Sequence, residues 1–212
     1  MELHGKDTTL QHLNNSVMVA VDIQTTGPYA GFHDLVEIAI IPLDAQLRMS
    51  KLTIPFTTLI KPKRKENIDP GERNEKGYAK MNQIVKAQLD GMEAYQAVDA
   101  LRAWFLKFGF KKPWTRLFPL GFEWTWQRDF LIDWLGRLTF DEIFDWRYRD
   151  LIPTCLHSLD RCDFNIEKKK YWQISMRYIC RYLNIERTSP YDCMNEANCV
   201  AACYREMMKE RM

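Results

Sequence analysis

The chain has no apolar run long enough to cross a membrane and no segment that resembles a secretory signal. None of its uninterrupted apolar stretches reaches the roughly 18 residues that a transmembrane helix needs. Residues 1–15 are polar and lack the apolar centre of a signal peptide. From these absences we expect a cytoplasmic protein with no membrane association.

The sequence also lacks the cysteine spacing of a structural zinc site. It contains 6 cysteines and 4 histidines, and no two cysteines stand in a Cys-x-x-Cys pair. All the cysteines fall in the last third of the chain, at Cys155, Cys162, Cys180, Cys193, Cys199 and Cys203. Zinc is therefore not expected, and these side chains are interpreted as reduced, buried thiols.

A strong net charge is missing as well. The formal net charge is +2, so no overall field favours nucleic acid. Basic character is local, in the segments 61–65, 107–116 and 167–170. Each segment is either a solvated loop or a track for phosphates, and the sequence leaves that choice open.

The order of apolar patterns predicts one α/β domain at residues 16–212, preceded by a flexible N-terminus at residues 1–15. Strands are predicted at residues 16–23, 35–43, 52–60, 116–121 and 141–146. Helices are predicted at residues 92–108, 124–135, 149–159, 171–183 and 192–210. Residues 61–77 are expected to form an exposed loop.

One segment carries a recognisable motif. An apolar run at residues 19–21 ends on Asp22, turns through Thr-Thr-Gly at residues 25–27, and is followed by a second apolar run at residues 35–41. This arrangement resembles the first motif of the DnaQ-like (DEDDh) 3′→5′ exonucleases, Asp-x-Glu-Thr-Thr-Gly, with Gln24 in place of the Glu. The resemblance implies a ribonuclease H-like fold, a mixed β-sheet flanked by α-helices.

Two further segments fall where the family has its other motifs. Gly121 and the pair Phe130-Leu131 frame Gln127, which stands where the second motif has a metal-binding Asp. In the third motif Glu196 replaces the Asp and Tyr191 replaces the general-base His. The motif frames survive, but the resemblance implies that most of the metal ligands and the base are changed.

These changes weaken the chemistry that the family performs. Two metal ions held by carboxylates activate water and stabilise the leaving oxygen in phosphodiester hydrolysis. With Gln24 and Gln127, the inherited set keeps only Asp22 and Glu196 as charged ligands, about −2 instead of −4, so Mg²⁺ or Mn²⁺ is expected to bind at most weakly. Tyr191 holds its proton at neutral pH, since an unperturbed phenol has a pKa near ~10.

A compensating arrangement is an alternative. Glu123 precedes Gln127 by four residues, so an early helix start would turn both side chains the same way. Glu123, with Asp192, would then rebuild a metal site beside Asp22 and Glu196. Otherwise Glu123 is an acid at a helix N-terminus, stabilised by the helix dipole. A Lys or Arg ion-paired into the cleft would take the metal's place and exclude the rebuilt site.

The sequence leaves three alternative functions open. The first is a pseudoenzyme that binds single-stranded nucleic acid 3′ ends or a protein partner through the old cleft, with Thr25 and Thr26 receiving a terminal nucleotide. The second is an active 3′→5′ exonuclease with a rebuilt carboxylate site (Asp22, Glu123, Glu196). The third is a protein-interaction scaffold with no role in nucleic-acid binding.

Overall fold

A mixed β-sheet lies at the centre of the structure, as the sequence predicts. The computed structural model describes residues 11–12, 16–69, 79–108, 115–162, 174–189 and 192–209. The strands are β1 (Gln11–His12), β2 (Ser16–Thr25), β3 (Leu35–Pro42), β4 (Phe56–Leu59), β5 (Leu117–Gly121) and β6 (Arg149–Asp150). Their order is β4-β3-β2-β5-β6, with β1 pairing on the start of β2. β3 is antiparallel to β2 and β4, whereas β2, β5 and β6 run parallel.

Helices cover both faces of this sheet. They are α1 (Met81–Asp90), α2 (Ala94–Leu106), α3 (Trp124–Leu135), α4 (Arg137–Ile143), α5 (Leu151–Cys162), α6 (Met176–Tyr182) and α7 (Cys193–Lys209). One apolar core joins the sheet to α2, α3 and α4, and a second joins it to α5, α6 and α7. No helix in the described part of the chain is long and apolar enough to cross a membrane.

The alternation of side chains along β2 positions the site. Val17, Val19, Val21 and Ile23 belong to the core beneath α2 to α4, whereas Met18 and Ala20 belong to the core beneath α7. Successive side chains of a strand point to opposite faces. Asp22 and Gln24 therefore continue the row that faces α7.

Several predicted elements need correction. The strand predicted at residues 141–146 is wrong, because residues 137–143 form α4 and bury Phe140 and Ile143 at helical spacing. Helix α1 was not predicted, since only Ile84 and Ala87 of its apolar residues are buried. The third strand is limited to Phe56–Leu59.

The ends of the chain are only partly tested. Gln11 and His12, inside the predicted flexible N-terminus, pair with the start of β2, and the other residues of 1–15 lie outside the described residues. The helix predicted at 171–183 is described only from α6 onward, because residues 171–173 are not described.

Asp150 fastens two helices to the carboxyl edge of the parallel strands. Its Oδ1 accepts the backbone N–H groups of Glu123 (3.2 Å) and Ile152 (3.0 Å). Its Oδ2 accepts the N–H of Trp124 at 2.8 Å. The first N–H groups of a helix have no partner within the helix, so one carboxylate satisfies donors at the starts of both α3 and α5.

We expect Asp150→Ala to destabilise the fold by roughly 2 kcal/mol, because three backbone donors lose their acceptor. Asp150→Asn should cost less, since it keeps one oxygen. The measurement is the free energy of unfolding in urea. The matched control is Asp141→Asn, which removes an exposed ion pair with Arg137 and should change stability by less than about 0.5 kcal/mol. Equal losses in Asp150→Ala and the control would contradict this role.

Candidate functional site

Asp22 and Gln24 lie at the end of β2, beneath the start of α7. Across the sheet Asp22 is opposite Ala39 and Gln24 is opposite Glu37. Directly opposed residues of a strand pair point to the same face. Glu37 therefore joins the predicted residues, although sequence reasoning missed it. The available signal was that Glu37 is the only acid in the apolar run 35–41.

The Asp22 carboxyl is enclosed, and its surroundings favour the protonated form. Burial raises its pKa well above the ordinary value, and the negative charge of Glu196 adds to that effect. A hydrogen bond from the Cys193 thiol acts in the opposite direction but does not restore the ordinary pKa. Burial also raises the pKa of Cys193 well above its usual range, so this thiol is a neutral donor.

Arg187 occupies the position of a counter-ion for this cluster. Its Nε and Nη2 each lie 2.7 Å from Oε1 of Glu196. The side chains of Arg187 and Glu196 are 22% and 5% exposed. The positive charge of Arg187 also lowers the pKa of Asp22, as the smallest of the effects acting on that group. A cation is thus paired with one of the acids at the family's metal-binding positions. The sequence analysis gives such an ion pair as evidence against a rebuilt metal site, but it does not identify Arg187.

Three oxygens of the inherited motif positions lack a hydrogen-bond donor. They are Oδ2 of Asp22, Oε1 of Gln24 and Oε1 of Gln127, and all three are sealed from solvent. The Gln127 amide is oriented by its Nε2, which donates to the carbonyl of Phe122 at 2.8 Å. A Cβ at Gly121 would lie 3.2 Å from Cε3 of Trp124, so this glycine leaves room for the indole ring.

The residues present do not fit the two-metal centre of the family. Two of the three free oxygens are neutral amides, which lack the charge that draws Mg²⁺ from its hydration shell. Burial raises the pKa of Asp22, and Glu196 is paired with Arg187. Among the residues that the structure describes, no group of three or more His, Cys, Asp or Glu side chains is placed to hold a metal ion.

The two further acids of the predicted rebuilt site, Glu123 and Asp192, immediately precede α3 and α7. Glu123 is the residue before α3 and has a left-handed backbone (φ 55°), so it is not on the helix face of Gln127. Its side chain is exposed, whereas Gln127 is buried. Asp192 is exposed and accepts the N–H of Asn195 at 2.8 Å, which caps the start of α7. Tyr191 lies outside the described residues, so its predicted replacement of the base stays a prediction.

Thr25 and Thr26 are buried and hold the turn that follows β2. The Thr25 hydroxyl donates to the carbonyl of Gly27 at 2.7 Å, and the Thr26 hydroxyl accepts the N–H of Asp34 at 2.9 Å. A Cβ at Gly27 would come within 2.3 Å of the His33 ring, so only glycine fits there. Both hydroxyls serve the loop, and their contact with a nucleotide stays a prediction.

The basic segment 61–65 borders this loop. Oδ2 of Asp34 accepts the backbone N–H groups of Lys63 (2.7 Å) and Arg64. The Arg64 guanidinium donates to the carbonyl of His33 at 3.0 Å and forms an ion pair with Asp133 of α3, also at 3.0 Å. Arg64 therefore ties the basic segment, the loop after β2 and α3 together.

Removing the Arg187 guanidinium should destabilise the fold, because Glu196 would stay buried without a counter-ion. We expect Arg187→Met to lower the free energy of unfolding by about 3 kcal/mol, because a carboxylate that is 4% exposed loses its counter-ion. Adding Glu196→Gln should recover most of that loss. Urea unfolding of the single and double variants at pH 7 makes the comparison. If the double variant is no more stable than Arg187→Met, the ion pair is not what stabilises this region.

The stability of the fold should depend on pH through Glu37. Burial, followed by the negative charge of Asp192, raises the pKa of Glu37 to about 7 from 4.5. Because the pKa of Glu37 is higher in the folded state than in the unfolded state, the stability that Glu37 contributes is fully present below pH 4.5. It is lost as the pH rises through 7.

Between pH 4.5 and pH 8 the native chain should therefore lose more stability than Glu37→Gln does. Since the carboxyl keeps some solvent contact, we expect a difference on the order of 1–2 kcal/mol. The measurement is urea unfolding across that range, with Glu142→Gln as an exposed control that should follow the native curve. Parallel curves for the native chain and Glu37→Gln would refute this assignment.

Comparison with known proteins shows similarity only at the level of structure. No protein-family model matches the chain, and no curated protein matches it either. Exonuclease I from Methylocaldum szegediense has a TM-score of 0.64 and 15% identity, covering 92% of this chain and 40% of the other. Cell-death related nuclease 4 (CRN-4) has a TM-score of 0.61 and 12% identity, covering 91% and 64%.

The structure of the yeast NOT1 MIF4G domain co-crystallised with CAF1 also matches, with a TM-score of 0.61, 11% identity and coverage of 92% and 80%. The chain spans only 41% of the length of the exonuclease I chain in another of these structures. Sequence identities this low support a shared fold but do not show a shared activity. The chain has the α/β fold of the DnaQ-like 3′→5′ exonucleases.

Proposed function

We propose that this protein is a catalytically degenerate member of the exonuclease fold that binds the 3′ end of a single-stranded nucleic acid without cleaving it. The observation that carries the proposal is the ion pair of Arg187 with the buried Glu196, beside Asp22. It supports loss of catalysis because a fixed cation stands among the acids where hydrolysis needs metal ions.

The charge of the cluster supports the same interpretation. Burial raises the pKa of Asp22, and Arg187 pairs with Glu196, so these positions carry less negative charge than ionised, unpaired acids would. A cluster of four ionised acids repels a phosphodiester unless metal ions lie between them. Less negative charge weakens that repulsion, which supports the approach of a nucleic-acid backbone without metal.

The loop after β2 and the basic segment 61–65 have the composition of a single-strand binding site. Tyr29 and Phe32, in the loop after β2, are 68% and 54% exposed. The exposed Lys63 and Lys65 lie on the segment that Asp34 and Arg64 tie to this loop. Aromatic rings stack on bases and lysines attract phosphates, which is how proteins bind single strands. Exonuclease I of E. coli, which shares the fold, has been solved in complex with a dA16 oligonucleotide.

Cleavage is tested with 3′-labelled single-stranded DNA and RNA in the presence of Mg²⁺ or Mn²⁺. We expect the native chain to leave both intact and to show no rise in Tm with Mn²⁺. The restored variant combines Gln24→Glu, Gln127→Asp and Arg187→Ala. It should gain a Tm increase with Mn²⁺ and measurable cleavage, because charged ligands return and the competing cation is removed.

The control for the restored variant adds Asp22→Ala, which should abolish both the Tm response and the cleavage. Robust cleavage by the native chain that is lost in Asp22→Ala would overturn the proposal and favour the working exonuclease.

Binding to 3′ ends is tested separately by fluorescence anisotropy. The native chain should bind a linear 20-nucleotide strand more tightly than the same strand closed into a circle, which has no 3′ end. The variant Lys63→Gln/Lys65→Gln should weaken binding of the linear strand and make it less dependent on salt. If the native chain binds neither strand, the nucleic-acid role is wrong and a protein partner becomes the better proposal.

A further inference from the structure

Helix α1 carries apolar side chains on two of its faces. Ile84 and Ala87 are buried in a small core that the helix shares with β3. Met81, Val85 and Leu89 follow one another at intervals of four residues and are 44%, 46% and 74% exposed. Residues at i and i+4 are neighbours on a helix surface, so these three form one apolar row along the outside of α1, the outer row. A surface helix ordinarily has a single apolar face, which packs on the core, and the outer row is additional to it.

Two opposite charges lie beside the outer row. Lys86 and Asp90 are exposed, and each directly follows a residue of the row. Among the residues that the structure describes, neither side chain forms an ion pair. Burial and then Asp192 raise the pKa of Glu37, and the charge of Lys86 lowers it as a smaller effect. The stability of α1 does not explain Asp90, because an acid at the last residue of a helix meets the negative end of the dipole.

This arrangement is complementary to a second copy of itself. A two-fold axis that relates two antiparallel copies of α1 repeats every contact and keeps the same flank of both helices on one side. With the axis near Gln88, Lys86 of each copy lies beside Asp90 of the other. Leu89 of each copy then packs between Val85 and Leu89 of the other. A parallel pair would instead place Lys86 beside Lys86, and like charges oppose that arrangement.

We infer that the outer row of α1 binds the outer row of a second copy in antiparallel orientation, so that the chain forms a homodimer. Apolar side chains leave water at the centre of this interface, and two ion pairs between Lys86 and Asp90 determine its orientation and register. Small interfaces give weak complexes, so the dimer is reversible. The inference concerns α1 alone and does not depend on the binding of nucleic acid.

Sedimentation velocity of the full chain, from micromolar towards millimolar concentration, tests the association. We expect the average mass to rise from that of a monomer to that of a dimer. Leu89→Glu should raise the dimer Kd at least about tenfold, because it removes an apolar side chain from the centre and buries a charge there. The matched control is Leu106→Glu, since Leu106 of α2 is also 74% exposed but lies outside the outer row. This control should leave the Kd unchanged.

Charge reversal tests the antiparallel orientation. Lys86→Glu and Asp90→Lys each place like charges opposite one another, so each should weaken the dimer, and more strongly at low salt. The double variant Lys86→Glu/Asp90→Lys forms both ion pairs again with the signs exchanged. It should return the Kd close to that of the native chain, which two independent losses would not do.

Each remaining outcome contradicts the inference. A native chain that stays monomeric over the whole concentration range overturns it and leaves the outer row to a different protein. A dimer that Leu89→Glu does not weaken uses another surface, which also overturns it. A double charge variant that is weaker than both single variants overturns the antiparallel arrangement. Thermal unfolding identifies any variant that is misfolded, and the charge variants then decide the result.

Discussion

The interaction on which the site depends is the ion pair between Arg187 and Glu196. Glu37, Asp22 and Glu196 are brought together by two neighbouring strands and the first turn of α7. The negative charge of carboxylates that are buried together must be neutralised. Metal ions can do this, and so can protonation together with a fixed cation. In this chain burial raises the pKa values of Asp22 and Glu37, and Arg187 pairs with Glu196. The start of α7 adds a favourable dipole.

The same constraint explains why the two amides are compatible with the fold. Gln24 and Gln127 carry no charge, so neither adds to the repulsion that Asp22 and Glu196 already experience. Each amide has a buried oxygen without a donor, which costs about 1–3 kcal/mol. One more uncompensated buried carboxylate would cost more, about 3–5 kcal/mol, so the two amides are physically consistent with a cluster that has Arg187 as its fixed cation.

The sequence predicts the fold better than it predicts the site. The alternation along β2 and the apolar spacing of α3 are local signals, and the helix at residues 124–135 was predicted with its observed bounds. The strand predicted at residues 141–146 is wrong at its start, because Ile143 and Phe144 favour strands while the turn at Gly136 starts a helix that continues through Ile143. Arg187 lies between helices with no motif around it. Its role depends on how α6 and α7 pack, which no local pattern encodes.

The two faces of β2 have different roles. The core beneath α2 to α4 contains four side chains of β2, those of Val17, Val19, Val21 and Ile23. This core does not depend on the chemistry of Asp22 or Gln24, which lie on the other face. Thr25, Thr26 and Gly27 hold the loop by hydrogen bonds and by close contact with His33. Thr25, Thr26 and Gly27 therefore have structural roles in the fold. A motif can persist for structural reasons alone, so the ligand positions bear on the proposed function more directly than the Thr-Thr-Gly turn does.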